Sequence, residues 1–498
     1  MKAVALCLLL AIPAAAQHHD NVIVEVVEEP VYVIGPDGAP IRGLTKDAFD
    51  LRVNGRRQPI DYFEAIDASG EQPATAAQPV QRTPRVRRLY LLLFDQLYSN
   101  PSRLARAQRA AEALVERSDP QQDYFAVASY TGNKGVQFVT AFLSDRVAVR
   151  RAITTLSIAG KIDPFGMAMS ASERAEWGAA GESSTPATKY GEEAEDMING
   201  GAANQDMIAQ RRQAVFDDLL MDFADLAGRL SGLEGQKHVL LFSEGTTAMA
   251  DSPVPASPMA GGGSDARTAR LMQEMFEKYR AAGVFLDSID IRGIRHAHAK
   301  LGTEANADLQ AFAHNTGGEF VHNRNDLPAA LSDLTKLHRV VYMLAFHRRS
   351  ARAGGISVHV SGVPRGTRVS YRQGFGKASP PSTVDPLQLA DIIINDIPQT
   401  GVRMKLGVQS RDLILSMEKD DVMPQLKPKT PFVDVVLYVF DRAGAAVLTK
   451  NMRFDPRTEP LLFRQTLDLP AGGYTAKAVA SIAGTTSVGF ARADFTVP

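Results

Sequence analysis

The chain has 498 residues, 45% of them hydrophobic and 22% charged, with 55 Lys and Arg against 56 Asp and Glu. A net charge of −1 gives no overall cationic face for nucleic acid or an anionic membrane. The single Cys excludes an intrachain disulfide framework and a Cys-based zinc cluster, and the length suggests about three domains.

Met1-Lys2, an apolar run over Ala3–Ile12, Pro13 and the small-residue end Ala14-Ala15-Ala16 read as a secretory signal, residues 1–16, cut after Ala16. Leu6 before Cys7 is too bulky for a lipoprotein cleavage site, and the apolar run is well short of the ~20 residues that span a bilayer. The mature chain is therefore expected to be exported, to the periplasm or beyond the cell, with no transmembrane segment.

Residues 22–64 read as a β module. Val22–Val27 and Val31–Ile34 are strand-prone, the second running into the turn cluster Gly35-Pro36-Asp37-Gly38, and Leu51–Val53 leads into an Asn54-Gly55 hairpin turn. A linker rich in Ala, Gly, Gln, Pro and Thr covers 65–84. From 85 to 345 strands and helices alternate, which predicts a doubly wound, mostly parallel sheet with helices on both faces. Leu89–Phe94 is wholly apolar, as a strand buried on both faces should be. The next helix takes Ser102 as N-cap, with Leu104, Ala107, Ala111 and Leu114 at helical spacing. Tyr124–Ala128 and Val136–Val139 are joined by only five residues, too few for a crossover, so they must run antiparallel. Ser144-Asp145 caps another helix, and residues 158–208 read as an insertion.

Further along, Phe216, Leu219, Leu220, Phe223 and Leu230 mark a helix and Val239–Phe242 a strand. A helix with Leu271, Met275 and Tyr279, the strand Val284–Leu286, a helix stopped by Gly317-Gly318, the strand Phe320-Val321 and a helix with Leu327, Leu331 and Leu334 complete the unit. Closing β strands are expected over 346–376. Residues 376–386 read as a second linker, and 387–498 as strands only, forming a C-terminal β-sandwich.

Ligands of open α/β sheets bind beyond the carboxyl ends of the strands, which directs attention to the loop Asp95-Gln96-Leu97-Tyr98-Ser99-Asn100. An acid straight after an apolar strand, with a hydroxyl four residues on, resembles the cation loop of von Willebrand factor A domains. The early antiparallel strand fits that fold, and Lys237–Gly245 is similar to its fourth-strand segment. Gly43-Leu44-Thr45-Lys46-Asp47-Ala48-Phe49, Tyr342-Met343-Leu344 and Val369-Ser370-Tyr371-Arg372-Gln373-Gly374-Phe375 resemble, in order, motifs of exported bacterial VWFA-related domain proteins of acidobacterial type. The resemblance covers about residues 22–376.

The resemblance implies a divalent cation, usually Mg2+, and recognition of a protein partner at the cation face. It makes Asp95, Ser99, Ser243 and Glu244 the candidate metal-site residues. The pattern departs where Leu97 replaces the second hydroxyl, where Ser243 with Glu244 replaces the Asp after the fourth strand, and where no later Thr is identifiable beyond Thr185 or Thr188 in the insertion. The alternative to a ligand role for Asp95 is a remnant that fixes the loop and caps the helix; Glu244 has the same alternative at a helix N-terminus.

Weaker patterns are the carboxylates Asp287 and Asp290, the pair His296 and His298 beside Arg292 and Arg295, His18-His19-Asp20 at the new N-terminus, and Trp177 in the insertion. The basic run Arg85-Val86-Arg87-Arg88 reads as a solubilising flank of the first central strand. No G-x-S-x-G, H-E-x-x-H or phosphate-binding G-x-x-x-x-G-K-[ST] motif occurs. The expectation is a non-enzymatic adhesion or scaffolding protein with a degenerate cation site. Its rivals are a metal-dependent envelope hydrolase with the metal held by Asp95, Glu244 or Asp290, and a purely structural domain with no ligand.

Overall fold

A computed structural model describes residues 26–68, 87–132, 134–156, 202–245, 263–294, 307–348, 352–376, 384–409, 411–428, 430–458 and 460–497. The signal segment, Thr185, Thr188, Trp177, His296, His298 and His18-His19-Asp20 lie outside them.

The first strands are β1 (Val26–Ile34), β2 (Phe49–Val53), β3 (Arg56–Arg57) and β4 (Tyr62–Asp67). Asn54 and Gly55, at φ 49° and 76°, form the tight turn between β2 and β3, as the Asn-Gly pair requires. The central unit follows as β5 (Arg88–Asp95), α1 (Pro101–Glu116), β6 (Asp123–Thr131), β7 (Gly135–Phe138), α2 (Arg146–Thr155), α3 (Ala202–Leu230), β8 (Gln236–Ser243), α4 (Gly263–Ala282), β9 (Val284–Asp290), α5 (Ala307–Thr316), β10 (Phe320–Val321) and α6 (Leu327–Leu337). Its six-stranded sheet has the order β10-β9-β8-β5-β6-β7. Neighbours are parallel except β6 and β7, which are antiparallel as the short connection dictates.

Alternation along β5 builds the two helical layers. Leu89, Leu91 and Leu93 pack with Leu220 and Phe223 of α3, Met275 and Tyr279 of α4 and Phe312 of α5. Tyr90, Leu92 and Phe94 face the other way, into Leu104 and Ala111 of α1, Val149 and Ile153 of α2 and Leu331 of α6. The expected α/β unit, helix-covered on both faces, is thus present.

The strands that follow are β11 (Val340–His347), β12 (Gly354–Val360), β13 (Arg368–Ser370) and β14 (Gly374–Phe375). β11 lies between β1 and β4, antiparallel to both, and β1 also pairs with β13. β12 pairs with β2 and β14. Val31, Val33, Tyr342, Leu344 and Phe346 of one sheet share a core with Phe49, Leu51, Ile356 and Val358 of the other. The segments read as an N-terminal module and closing strands are therefore interleaved, with the α/β unit emerging between β4 and β11.

The rest comprises α7 (Pro386–Asn395), β15 (Met404–Gln409), β16 (Asp412–Met417), the short α8 (Lys419–Val422), β17 (Val433–Asp441), β18 (Ala446–Phe454), β19 (Leu462–Thr466), β20 (Gly472–Ile482) and β21 (Val488–Val497). Antiparallel sheets of order β15-β16-β19 and β18-β17-β20-β21 share one core containing Leu413, Leu415, Val435, Leu437, Ala478 and Ala480.

Three local expectations are corrected. The N-cap of α1 is Asn100, not Ser102: its side chain accepts the Ser102 N–H at 2.9 Å, and Pro101 takes the first helical position, where its missing N–H costs nothing. The region after 387 is not purely strands, because Asp385 accepts the Leu387 N–H at 2.7 Å and Pro386 starts α7. Arg87 and Arg88 are not a solvated flank; both are buried. Arg87 forms a two-point ion pair with Asp391 of α7 at 2.7 and 3.1 Å, and Arg88 bonds Asp123 at 2.7 Å.

Candidate functional site

The chain goes from β5 to β6 on one side of the sheet and then to β8 on the other. The carboxyl ends of β5 and β8 are therefore the topological switch point, where loops diverge and leave a crevice. Asp95 ends β5, and Ser243 ends β8 with Glu244 following.

All four candidate residues converge there. The Oδ1 of Asp95 accepts the backbone N–H groups of Leu97 and Tyr98, each at 3.0 Å. Its Oδ2 accepts the Ser243 hydroxyl at 2.6 Å, and the Ser243 Oγ accepts the Gly245 N–H at 2.9 Å. The Ser99 hydroxyl accepts the Glu244 N–H at 3.3 Å. Glu244 Oε1 accepts the Asn100 N–H at 2.6 Å, while Oε2 meets the Arg103 guanidinium at 2.5 Å. Together these contacts tie the β5 loop and the first turns of α1 to the end of β8.

Asp95 and Glu244 are 3% and 4% exposed, so the unit lies beneath the rim surface rather than open to it. Burial pushes the Asp95 carboxyl up to about 6; the Ser243, Tyr98 and Leu97 bonds pull it back, and the Glu244 charge adds to the rise. Leu97, standing where the family pattern has a hydroxyl, packs into the core beneath α3 instead of presenting an oxygen.

As arranged, these residues fit Mg2+ poorly. Both oxygens of Asp95 already accept protein donors, and the positive charge beside Glu244 is the Arg103 guanidinium. An ion would have to turn the Ser243 O–H away and displace Arg103, with few hard oxygens in return. Sequence reading missed Asn100 and Arg103. The Asn-Pro pair opening a helix was a usable signal for Asn100; nothing local marked Arg103 as the partner of a residue 141 positions away.

Asp287 and Asp290 do not form a pair. They sit three apart on β9 and so project to opposite faces. Asp290 accepts from Arg292 at 2.9 Å, and Asp287 Oδ2 lies 2.9 Å from His238 Nδ1. The carboxylates of the rival hydrolase thus have separate cationic partners: Glu244 has Arg103, and Asp290 has Arg292. A cluster foreseen by no motif lies at the other end of the sheet: His238 on β8, Asp287 on β9 and His338 at the end of α6. Their sequence separations of 49 and 51 leave no pattern to read. Burial holds the His338 imidazole well below its ordinary range, helped by His238 and the Arg88 charge.

No family model matches the chain, and no curated protein matches its sequence. Among solved structures, it is similar to an aerotolerance-related membrane protein of Bacteroides fragilis (10% identity, 51% of this chain and 99% of that one, TM-score 0.25). It is similar also to BatB of Bacteroides thetaiotaomicron (13%, 51% and 99%, TM-score 0.24). Proximal thread matrix protein 1 of the mussel byssus, in a form with a zinc-occupied MIDAS motif, matches at 15% identity over 53% of this chain and 49% of that one, with a TM-score of 0.25. These overlaps are slight. The likeness to von Willebrand A domains rests on the chain's own sheet, with its antiparallel edge strand and its acidic loop after the central strand.

Proposed function

We propose that this is an exported binding or scaffolding protein that recognises a protein partner over the carboxyl-end rim of its central sheet. The observation that carries the reading is the Asp95–Ser243–Glu244–Arg103 unit, which ties the loop after β5 and the start of α1 to the end of β8 at the switch point. A rim loop fixed before binding loses less entropy when a partner arrives. In this reading Asp95, Ser99, Ser243 and Glu244 form a degenerate cation site in which hydrogen bonds and a guanidinium hold the place of Mg2+. The two C-terminal antiparallel sheets are read as a β-sandwich that spaces or displays the rim. Export rests on the sequence of residues 1–16. Among the described residues, no helix is long and apolar enough to cross a membrane.

The test is capture from envelope extracts by the immobilised mature protein, with and without chelator. The reading expects a reproducible partner, kept under chelator and lost when Ser243→Ala and Glu244→Gln together unlock the loops. No partner, together with turnover of simple ester or phosphate substrates, would replace it by the hydrolase.

A further inference from the structure

At the end of the sheet remote from Asp95, three ligand-type side chains meet in the interior. His238, Asp287 and His338 are almost wholly buried, and one donor atom from each lies within 4.8 Å of the others. His238 Nδ1 stands 2.9 Å from Asp287 Oδ2, and His338 Nε2 stands 4.0 Å from the same oxygen. A cavity of about 10 Å³, room for about one small ligand atom, borders all three together with Tyr32, Glu319 and Ser370.

The atoms turned away from the meeting point are held by other groups. Tyr32 Oη lies 3.1 Å from His238 Nε2, Tyr90 Oη lies 3.4 Å from His338 Nδ1, and the Glu319 N–H donates to Asp287 Oδ1 at 2.8 Å. Outer contacts of this kind orient imidazole and carboxylate ligands around a metal. The Tyr32 hydroxyl lies 3.1 Å from His238 Nε2 and 3.4 Å from Gln236 Oε1. Donated to Nε2, it leaves Nδ1–H to bond Asp287 Oδ2 at 2.9 Å in the ion-free chain, and a metal ion would take the place of that proton.

We propose that His238 Nδ1, Asp287 Oδ2 and His338 Nε2 bind one divalent transition ion of the Zn2+ class, completed by a water in the adjoining cavity. Two imidazoles and one carboxylate suit such an ion and not Mg2+. Donors on a tetrahedral ion with bonds of about 2.0–2.1 Å stand roughly 3.3 Å apart, so relative to Asp287 Oδ2 His338 closes by roughly 0.7 Å and His238 opens by roughly 0.4 Å. The buried position makes the ion a structural clamp. His238 and Asp287 belong to the central sheet, His338 leads into β11, and Tyr32 belongs to β1, so the ion ties the α/β unit to the strands that flank it. The proposal is independent of the rim around Asp95.

The experiment uses the full mature chain, stripped with chelator and titrated with Zn2+ and, separately, Co2+. Expected are one tight equivalent, a rise in the thermal midpoint, and a Co2+ absorption spectrum of tetrahedral type. Asp287→Asn and His338→Phe, the latter keeping the stacked ring without its nitrogens, should abolish that equivalent. Tyr32→Phe should weaken it about 10–100-fold, and Asp95→Ala should leave it unchanged. Should the two ligand variants fail to fold, Tyr32→Phe and the wild-type Co2+ spectrum decide. Absence of a tight equivalent in the wild type, or its retention in both ligand variants as adventitious binding by surface histidines, would overturn the proposal.

Discussion

Asp95 is held folded with its carboxyl raised from 3.8 to about 6, and this has a direct consequence for stability. Between those values the folded chain binds a proton that the unfolded chain releases. The associated stabilisation is fully present below pH ~4 and is lost as pH rises through ~6, by about 3 kcal/mol for a shift of this size. Asp95→Asn, which mimics the protonated acid, should remove that slope. Urea unfolding at pH 4, 5, 6 and 7 should show the variant gaining on the wild type by about 2–3 kcal/mol across the range; a pH-independent difference would contradict the burial argument. The candidate residues themselves were legible, because an acid directly after an apolar strand has few places to go. Their saturation was not, since it depends on Arg103, Asn100 and the backbone donors of Leu97 and Tyr98, none of which carries a spacing signal.

At the scale of elements, alternation of apolar strands and periodic helices gave the central unit, down to the antiparallel β6–β7 pair forced by a short loop. Charge misled where it was buried. Arg87 looks like a solvated flank until α7 supplies Asp391, and α7 itself was hidden by its β-branched run Ile392-Ile393-Ile394, which reads as strand. The side chains of Arg87 and Asp391 are 4% and 3% exposed. Arg87→Ala should therefore cost about 3–5 kcal/mol by stranding a buried carboxylate. Replacing both partners, as Arg87→Met with Asp391→Leu, should recover most of that loss in chemical denaturation. A single variant as stable as the wild type would show that the pair carries no stability. Asp385→Ala, which removes the α7 N-cap, should cost about 1 kcal/mol in the same measurement.

Across the whole molecule, the pairing that no local pattern could reveal is that of β1 and β4 with β11, over nearly the full span of the α/β unit. Removing residues from 340 onward should expose both edges and half of the core around Tyr342, Leu344 and Phe346. The truncated chain is expected to aggregate or to bind a hydrophobic dye at concentrations where the full chain does neither; a monodisperse, dye-silent truncation would contradict the interleaving. The rim lies at the carboxyl end of the central sheet and the His238–Asp287–His338 cluster away from it, so an ion in the cluster would report on a different part of the fold from the rim.

The central claim is that the rim at Asp95 is closed by the protein's own donors. Calorimetric titration with Mg2+ tests it most directly, comparing wild type with Arg103→Ala. The account predicts no saturable heat in the wild type at concentrations up to about millimolar, and measurable binding once the guanidinium no longer occupies Glu244. Tight Mg2+ binding by the wild type, lost on Asp95→Ala, would contradict it.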